Sequence, residues 1–169
     1  MISETLGSSA VEWAGKPYTE IVDIAEEEGS VLVIPVGSLE QHGYHLPTAT
    51  DTILVDAIVG GGAERVVDDI PIVVTPPVWT GYSPHHMSFG GTVTADYDTL
   101  LDVLEETAAA ALENPFDVCL FVNGHGGNRS LIGAATNAVG HDHPDVELFG
   151  LTYFTLGADF VPEIRDSDI

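Results

Sequence analysis

Positive charge is almost missing from this sequence. Its 169 residues hold one lysine (Lys16) and three arginines (Arg65, Arg129, Arg165) against 27 acidic residues, for a net charge of −23. With no basic patch to displace counterions, nucleic acid is excluded as an expected partner. Cysteine is nearly as scarce. Cys119 stands alone, which rules out an intrachain disulfide, and its place in an apolar run reads as a small buried hydrophobe rather than a catalytic thiol. No uninterrupted apolar stretch approaches the ~18 residues of a membrane span. The N-terminus shows neither a basic leader nor an apolar segment behind it. The expectations are no membrane partner and a cytoplasmic location.

What is present is ordinary in amount. The apolar fraction is 44%, and the acids are interspersed among apolar runs rather than gathered in blocks. That pattern belongs to a folded chain with an acidic surface. Self-repulsion on such a surface is relieved by salt, so the composition reads as halophilic. The length suits one domain spanning residues 1–169 and one hydrophobic core.

Apolar runs and helical periodicities alternate along the chain. Ser9 to Trp13 reads as a short helical turn. Ile21, Ile24 and Ala25 share one helix face behind Pro17, and Gly29 fits a stop. Residues 31–36 are almost continuously apolar, as in a strand covered on both faces. A helix is predicted over 53–67, weakened by Gly60, Gly61 and Gly62, and a strand over 70–76. Asp96 to about Leu112 is the clearest helix, with Asp96 or Asp98 as cap. Strands over 116–122 and 147–154 flank a helix from Ser130 to about Val139. The alternation predicts an α/β fold, a three-layer α/β/α sandwich on a mostly parallel sheet.

Three loops carry the chemistry. Directly after the first strand comes Gly37-Ser38-Leu39-Glu40-Gln41-His42-Gly43-Tyr44-His45-Leu46-Pro47, with Asp51 close behind. Carboxylate and imidazole together suit Zn²⁺ or Mn²⁺, and a carboxylate can bridge two ions. Residues 76–92 form a loop dense in aromatics and histidine, in which Trp79, Tyr82, Ser83 and His86 are candidate substrate-binding residues. His85 reads as a solvated neighbour of His86, and His141 and His143 as surface residues. Asn123-Gly124-His125-Gly126-Gly127-Asn128 follows the third strand and puts His125 at a strand's carboxyl end, where sites form in open α/β sheets. The same Gly-rich turn is a weak candidate for cradling a phosphate, since it lacks a P-loop's Lys-Ser/Thr.

Taken together, Gly37 to Asp51, Gly81 to Thr92 (Gly-x-Ser-x-x-His-x-x-Phe-x-Gly-Thr) and Asn123 to Asn128 resemble, in order, the motifs of the creatininase (creatinine amidohydrolase) family over roughly residues 15–155. The resemblance implies a divalent metal centre, commonly two Zn²⁺ and/or Mn²⁺ ions with Fe²⁺ in some branches. It also implies a homo-oligomer, commonly a hexamer, and hydrolysis of a non-peptide C–N bond in a small cyclic amide or formamide. By motif position, Glu40, His42, Asp51 and His125 look like the metal ligands and so the catalytic set, with Asp51 bridging. A pair of cations would acidify a water and polarise the substrate carbonyl, so no protein nucleophile is required. Ser38 and Ser83 lack triad partners. His45 fits a role behind a ligand rather than as one. One departure is clear. Creatininase has a Glu two positions after the residue matching His125, and here that position is Gly127. Branches with His-Gly-Gly-Asn take their last ligand, a Glu, from a later segment that this sequence lacks, so the family's C-terminal portion is expected to be absent. Glu163 is a weak substitute. A non-catalytic member binding at most one ion is the alternative.

Overall fold

The structure, a computed structural model, describes residues 7–157. Four strands, β1 (Val31–Val36), β2 (Ile72–Val74), β3 (Val118–Asn123) and β4 (Glu147–Thr152), form one sheet in the order β2-β1-β3-β4. All neighbours are parallel. β1 and β3 run in register from Val31 opposite Val118 to Val36 opposite Asn123. Parallel neighbours require crossovers, and α2 (Thr50–Ala63), α3 (Tyr97–Ala111) and α4 (Arg129–Asp142) supply them. The remaining helix, α1 (Tyr18–Ala25), leads into β1.

The alternation of side chains along a strand sends β1 residues to two cores. Leu32, Ile34 and Val36 face one side with Cys119 and Phe121 of β3. There they meet Ile21 of α1, Leu100 and Leu104 of α3, and Leu131 and Ala135 of α4. Val33 faces the other side with Val74 and Val122, against Val55, Val59 and Ala63 of α2. Each such fully buried side chain contributes roughly 1.5–3 kcal/mol. The three layers expected from sequence are therefore present, with α2 alone on one face.

Several boundaries moved, for physical reasons. α2 begins at Thr50 rather than 53, which places Asp51 in its first turn, where the helix dipole favours a carboxylate. Gly60 and Gly62 stay helical. A side chain at either would meet nothing within 4 Å, so glycine costs only local propensity, and burial of Val55, Val59 and Ala63 outweighs it. β2 contracts to three residues between Pro71 and Pro76, which have no N–H to give a ladder. β4 runs over 147–152 and is an edge strand, with Phe149 51% exposed. Of the two cap candidates, Asp96 caps α3, its carboxylate accepting the Thr99 N–H at 2.9 Å. The turn expected at 9–13 lies at Trp13–Gly15. Among the described residues, no helix is long and apolar enough to cross a membrane.

The topology fixes where a site can form. β1 is followed by α2 on one face and β3 by α4 on the other. Chains leaving adjacent strands toward opposite faces open a crevice at the strands' carboxyl ends. The Glu40/His42 loop and His125 emerge into that crevice.

Candidate metal centre

Four side chains meet there. Asp51 stands between two imidazoles: Oδ1 is 3.1 Å from His42 Nε2, and Oδ2 is 3.0 Å from His125 Nδ1. Glu40 Oε1 is 3.4 Å from His125 Nδ1. Glu40, Asp51 and His125 are buried, and His42 is half-buried. The sequence-predicted ligands are thus brought together by elements 74 residues apart in chain position, Asp51 to His125.

The orientation says more than the distances. Glu40 Oε2 and Asp51 Oδ2 are buried and accept no hydrogen bond among the described residues, although Oδ2 is 3.0 Å from a ring nitrogen. A buried carboxylate oxygen without a partner is costly. His42 Nε2 and Asp51 Oδ1 are in hydrogen-bond contact, but the two remaining carboxylate oxygens crowd against the imidazoles unbonded, as donor atoms aimed at a common point are. Ligand atoms around one ion with bonds of about 2.1 Å stand roughly 3.0–3.4 Å apart for octahedral to tetrahedral geometry. The residues present therefore fit a divalent cation.

Both imidazoles have their tautomers fixed from behind. His42 Nδ1–H donates to the Glu40 carbonyl at 3.2 Å, leaving the Nε2 lone pair toward Asp51. His125 Nε2–H points between the Tyr82 carbonyl oxygen at 3.2 Å and Ser83 Oγ at 3.1 Å, leaving Nδ1 toward the carboxylates. Metal-binding histidines are characteristically oriented this way. Burial by itself depresses the His125 pKa. The close approach of the Asp51 carboxylate, the Glu40 and Asp51 charges and the Tyr82 carbonyl outweigh it, so the net shift is upward. Proton and metal thus compete for the same nitrogen.

Two supporting residues, Asn123 and Asn128, have no role in the sequence expectations, whereas Ser38 and Ser83 were expected to be structural. Asn128 is fully buried and ties the three motifs together: its Nδ2 donates to the Gly37 carbonyl at 2.9 Å and its Oδ1 accepts the Tyr82 N–H at 2.9 Å. Asn123 holds the His125 backbone, accepting its N–H at 3.0 Å and donating to its carbonyl at 2.7 Å. Ser38 and Ser83, both fully buried, bond each other at 2.8 Å behind His125. Their positions inside the three motif strings were the available signal. A pairing between residues 45 apart has no local signature.

The loop candidates divide. His86 is half-buried, with Nε2 3.6 Å from Glu40 Oε1. Ser83 lies behind His125. Tyr82 touches His125 through its carbonyl, and its ring packs edge-on against Tyr97 at 5.7 Å. Trp79 is 53% exposed, and its carbonyl accepts from Thr52 Oγ1 at 3.3 Å. His45 is exposed and outside the converging groups. Glu163 lies outside the described residues. A Cβ at Gly127 would run into the Tyr82 carbonyl and come within 2.5 Å of His125 Nε2. This backbone therefore has no room for the Glu that creatininase carries there.

A parallel α/β sheet whose switch point gathers carboxylates and tautomer-locked imidazoles around orphaned oxygens defines a divalent-metal α/β protein. Comparison with known proteins agrees and goes further. Residues 17–166 match the Creatininase family model, described as creatinine amidohydrolase, and the chain belongs to that family. It is similar to the mycofactocin precursor peptide peptidase of Mycolicibacterium smegmatis, at 38% identity over 68% of this chain and 47% of the relative. It also resembles the 3-dehydro-scyllo-inosose hydrolase of Thermotoga maritima, at 37% identity over 57% of this chain and 30% of the relative. The creatinine amidohydrolase of Pseudomonas putida is 31% identical over 60% of this chain and 40% of the relative. Among solved structures, a creatininase superposes with a TM-score of 0.85 at 22% identity, covering 96% of this chain and 66% of that one. A manganese creatininase gives 0.81 at 23%, covering 94% and 66%. At that identity these structures show the fold. The chain spans about half the length of the first curated relatives it matches.

Proposed function

We propose that this chain forms the metal centre of a hydrolase that cleaves a non-peptide C–N bond in a small amide, cyclic or formyl. The observation that carries this is the convergence of Glu40, His42, Asp51 and His125 with two buried carboxylate oxygens left without partners. Divalent cations held there supply Lewis acidity toward a carbonyl oxygen and acidify a water. The chain's own residues do the rest. Asp51 offers one oxygen toward each imidazole and would hold metal on both sides. Ser83 and the Tyr82 carbonyl keep the His125 proton on Nε2. His86, beside Glu40 at the mouth of the crevice, faces the substrate, and Trp79 on the same loop walls it. The relatives' names span a peptidase, an inosose hydrolase and an amidohydrolase. That range supports a shared centre whose loops choose the substrate.

The reading extends to a cytoplasmic homo-oligomer, commonly a hexamer by family resemblance, from a salt-loving organism. Its supports are the net charge of −23 and the exposed apolar side chains Phe149 and Leu156. A second reading, a non-catalytic member holding one ion, is favoured by the crowding at Gly127, which denies the centre a carboxylate there. Metal analysis of protein purified without chelator, followed by an amide and formamide screen, separates the two. Two equivalents of Zn or Mn with chelator-sensitive turnover support the hydrolase. One equivalent without turnover supports the second reading, and no bound metal removes both.

A further inference from the structure

The sequence singled out His86 and set His85 aside, and the geometry reverses their chemistry. Gln41 Oε1 accepts the Gly43 N–H at 3.0 Å, which turns its amide Nε2 toward His86 Nδ1 at 2.9 Å. His86 Nδ1 is therefore an acceptor, and its proton sits on Nε2, facing Glu40 Oε1 at 3.6 Å. His86 offers Glu40 a proton and has no lone pair left for a cation. His85 is free of such commitments. Its ring nitrogens make no hydrogen bond among the described residues. The ring lies parallel to His125, with centroids 6.1 Å apart and an interplanar angle of 6°. A ligand atom of His85 lies within 4.8 Å of ligand atoms on both Glu40 and His125. Glu40 itself is 6% exposed, and its Oε2 is unpartnered.

We propose that His85 is an additional protein ligand, on the ion position defined by Glu40, Asp51 and His125. This half of the centre then closes with two imidazoles and two carboxylates, a full tetrahedral set. The other half, at His42, draws on Asp51 and Glu40 alone among the described residues. Ligands on one tetrahedral ion stand about 3.4 Å apart. The His85 donor already lies within 4.8 Å of the others, and rotation of this exposed side chain on the turn Pro84–Phe89 supplies whatever adjustment remains. The two positions are consequently unequal: the ion beside His85 binds tightly, and the ion beside His42 binds weakly and keeps open positions. This rests on the metal-centre reading and adds a donor outside the four motif ligands.

The test is Zn²⁺ affinity by competition with a chromophoric chelator, with Co²⁺ absorption as a ligand-sensitive spectrum, on wild type, His85→Phe, His85→Cys and His45→Phe. His85→Phe keeps the ring beside His125 and removes the nitrogens. The tight site is expected to weaken at least about 10-fold with a changed Co²⁺ spectrum. His85→Cys, which restores a donor, should recover tight Zn²⁺ binding. His45→Phe, at an exposed position outside the cluster, should retain tight Zn²⁺ binding. Wild-type affinity in His85→Phe overturns the His85 assignment, as does equal loss in His45→Phe. Wild-type protein that binds no ion overturns the metal-centre reading itself.

Discussion

Asp51→Asn is the substitution that the centre should tolerate least, relative to how little it changes shape. The side chain keeps its volume and its place in the first turn of α2 but loses its charge. In the native arrangement each oxygen faces a different imidazole, at 3.1 Å and 3.0 Å, so on the proposed two-ion reading both positions would depend on it. Two unit charges 4 Å apart at an effective dielectric of 20 interact by about 4 kcal/mol, and a divalent ion doubles this. The single-charge figure alone corresponds to about 10³-fold in affinity. The amide also turns an NH₂ toward one of the two imidazole lone pairs and ties it up in a hydrogen bond. Elemental analysis and chelator competition read the result directly. Near-complete loss of both equivalents is expected, with His45→Ala, exposed and outside the cluster, retaining wild-type content. If the two variants hold the same metal, Asp51 is not the bridge.

Asn128→Ala removes the tie among the three motif loops and leaves the Gly37 carbonyl and Tyr82 N–H unpaired in the interior. A loss of about 2–4 kcal/mol in urea unfolding is expected, and a change below 0.5 kcal/mol would contradict it (on the order of surface substitutions). Burial pushes the Cys119 thiol from 9.0 up to about 12. The folded state favours the neutral thiol, so this contribution is full below pH 9 and is lost as pH rises from 9 toward 12, at up to about 1.4 kcal/mol per pH unit. A wild-type chain that loses no more stability over that window than Cys119→Ala would refute it. The Asp96 carboxyl is held below its ordinary value by the Thr99 backbone N–H. Its capping contribution is therefore present above the ordinary carboxylate pKa and is lost as pH falls through the lower folded-state value, measurable as the acid-side melting difference from Asp96→Ala. With a net charge of −23, the melting temperature should climb with KCl into the molar range, and a flat profile would dismiss the salt adaptation.

Much of this protein was legible in its amino acids alone. Strand β1 announces itself because a strand buried on both faces needs unbroken apolar residues, and Val31 to Val36 provide them. The alternation of strand and helix implies a parallel sheet, because parallel neighbours need crossovers. The four proposed ligands stood out because carboxylates and imidazoles are grouped beyond strand ends within three motif strings that occur in order. Tertiary structure alone decided the rest. Which of two adjacent histidines offers a lone pair depends on Gln41 and Gly43 some 40 residues away, through hydrogen bonds that no local pattern encodes. Asn128 is one polar residue among many until folding buries it between two other loops. β4 reads as a strand just as β1 does, yet it lies at the edge of the sheet formed by the described residues, because the order of strands is set by how layers pack and not by hydropathy. Residue type limits what chemistry a position can do, and the distances and proton positions that select among those options arise from contacts between segments far apart in the chain.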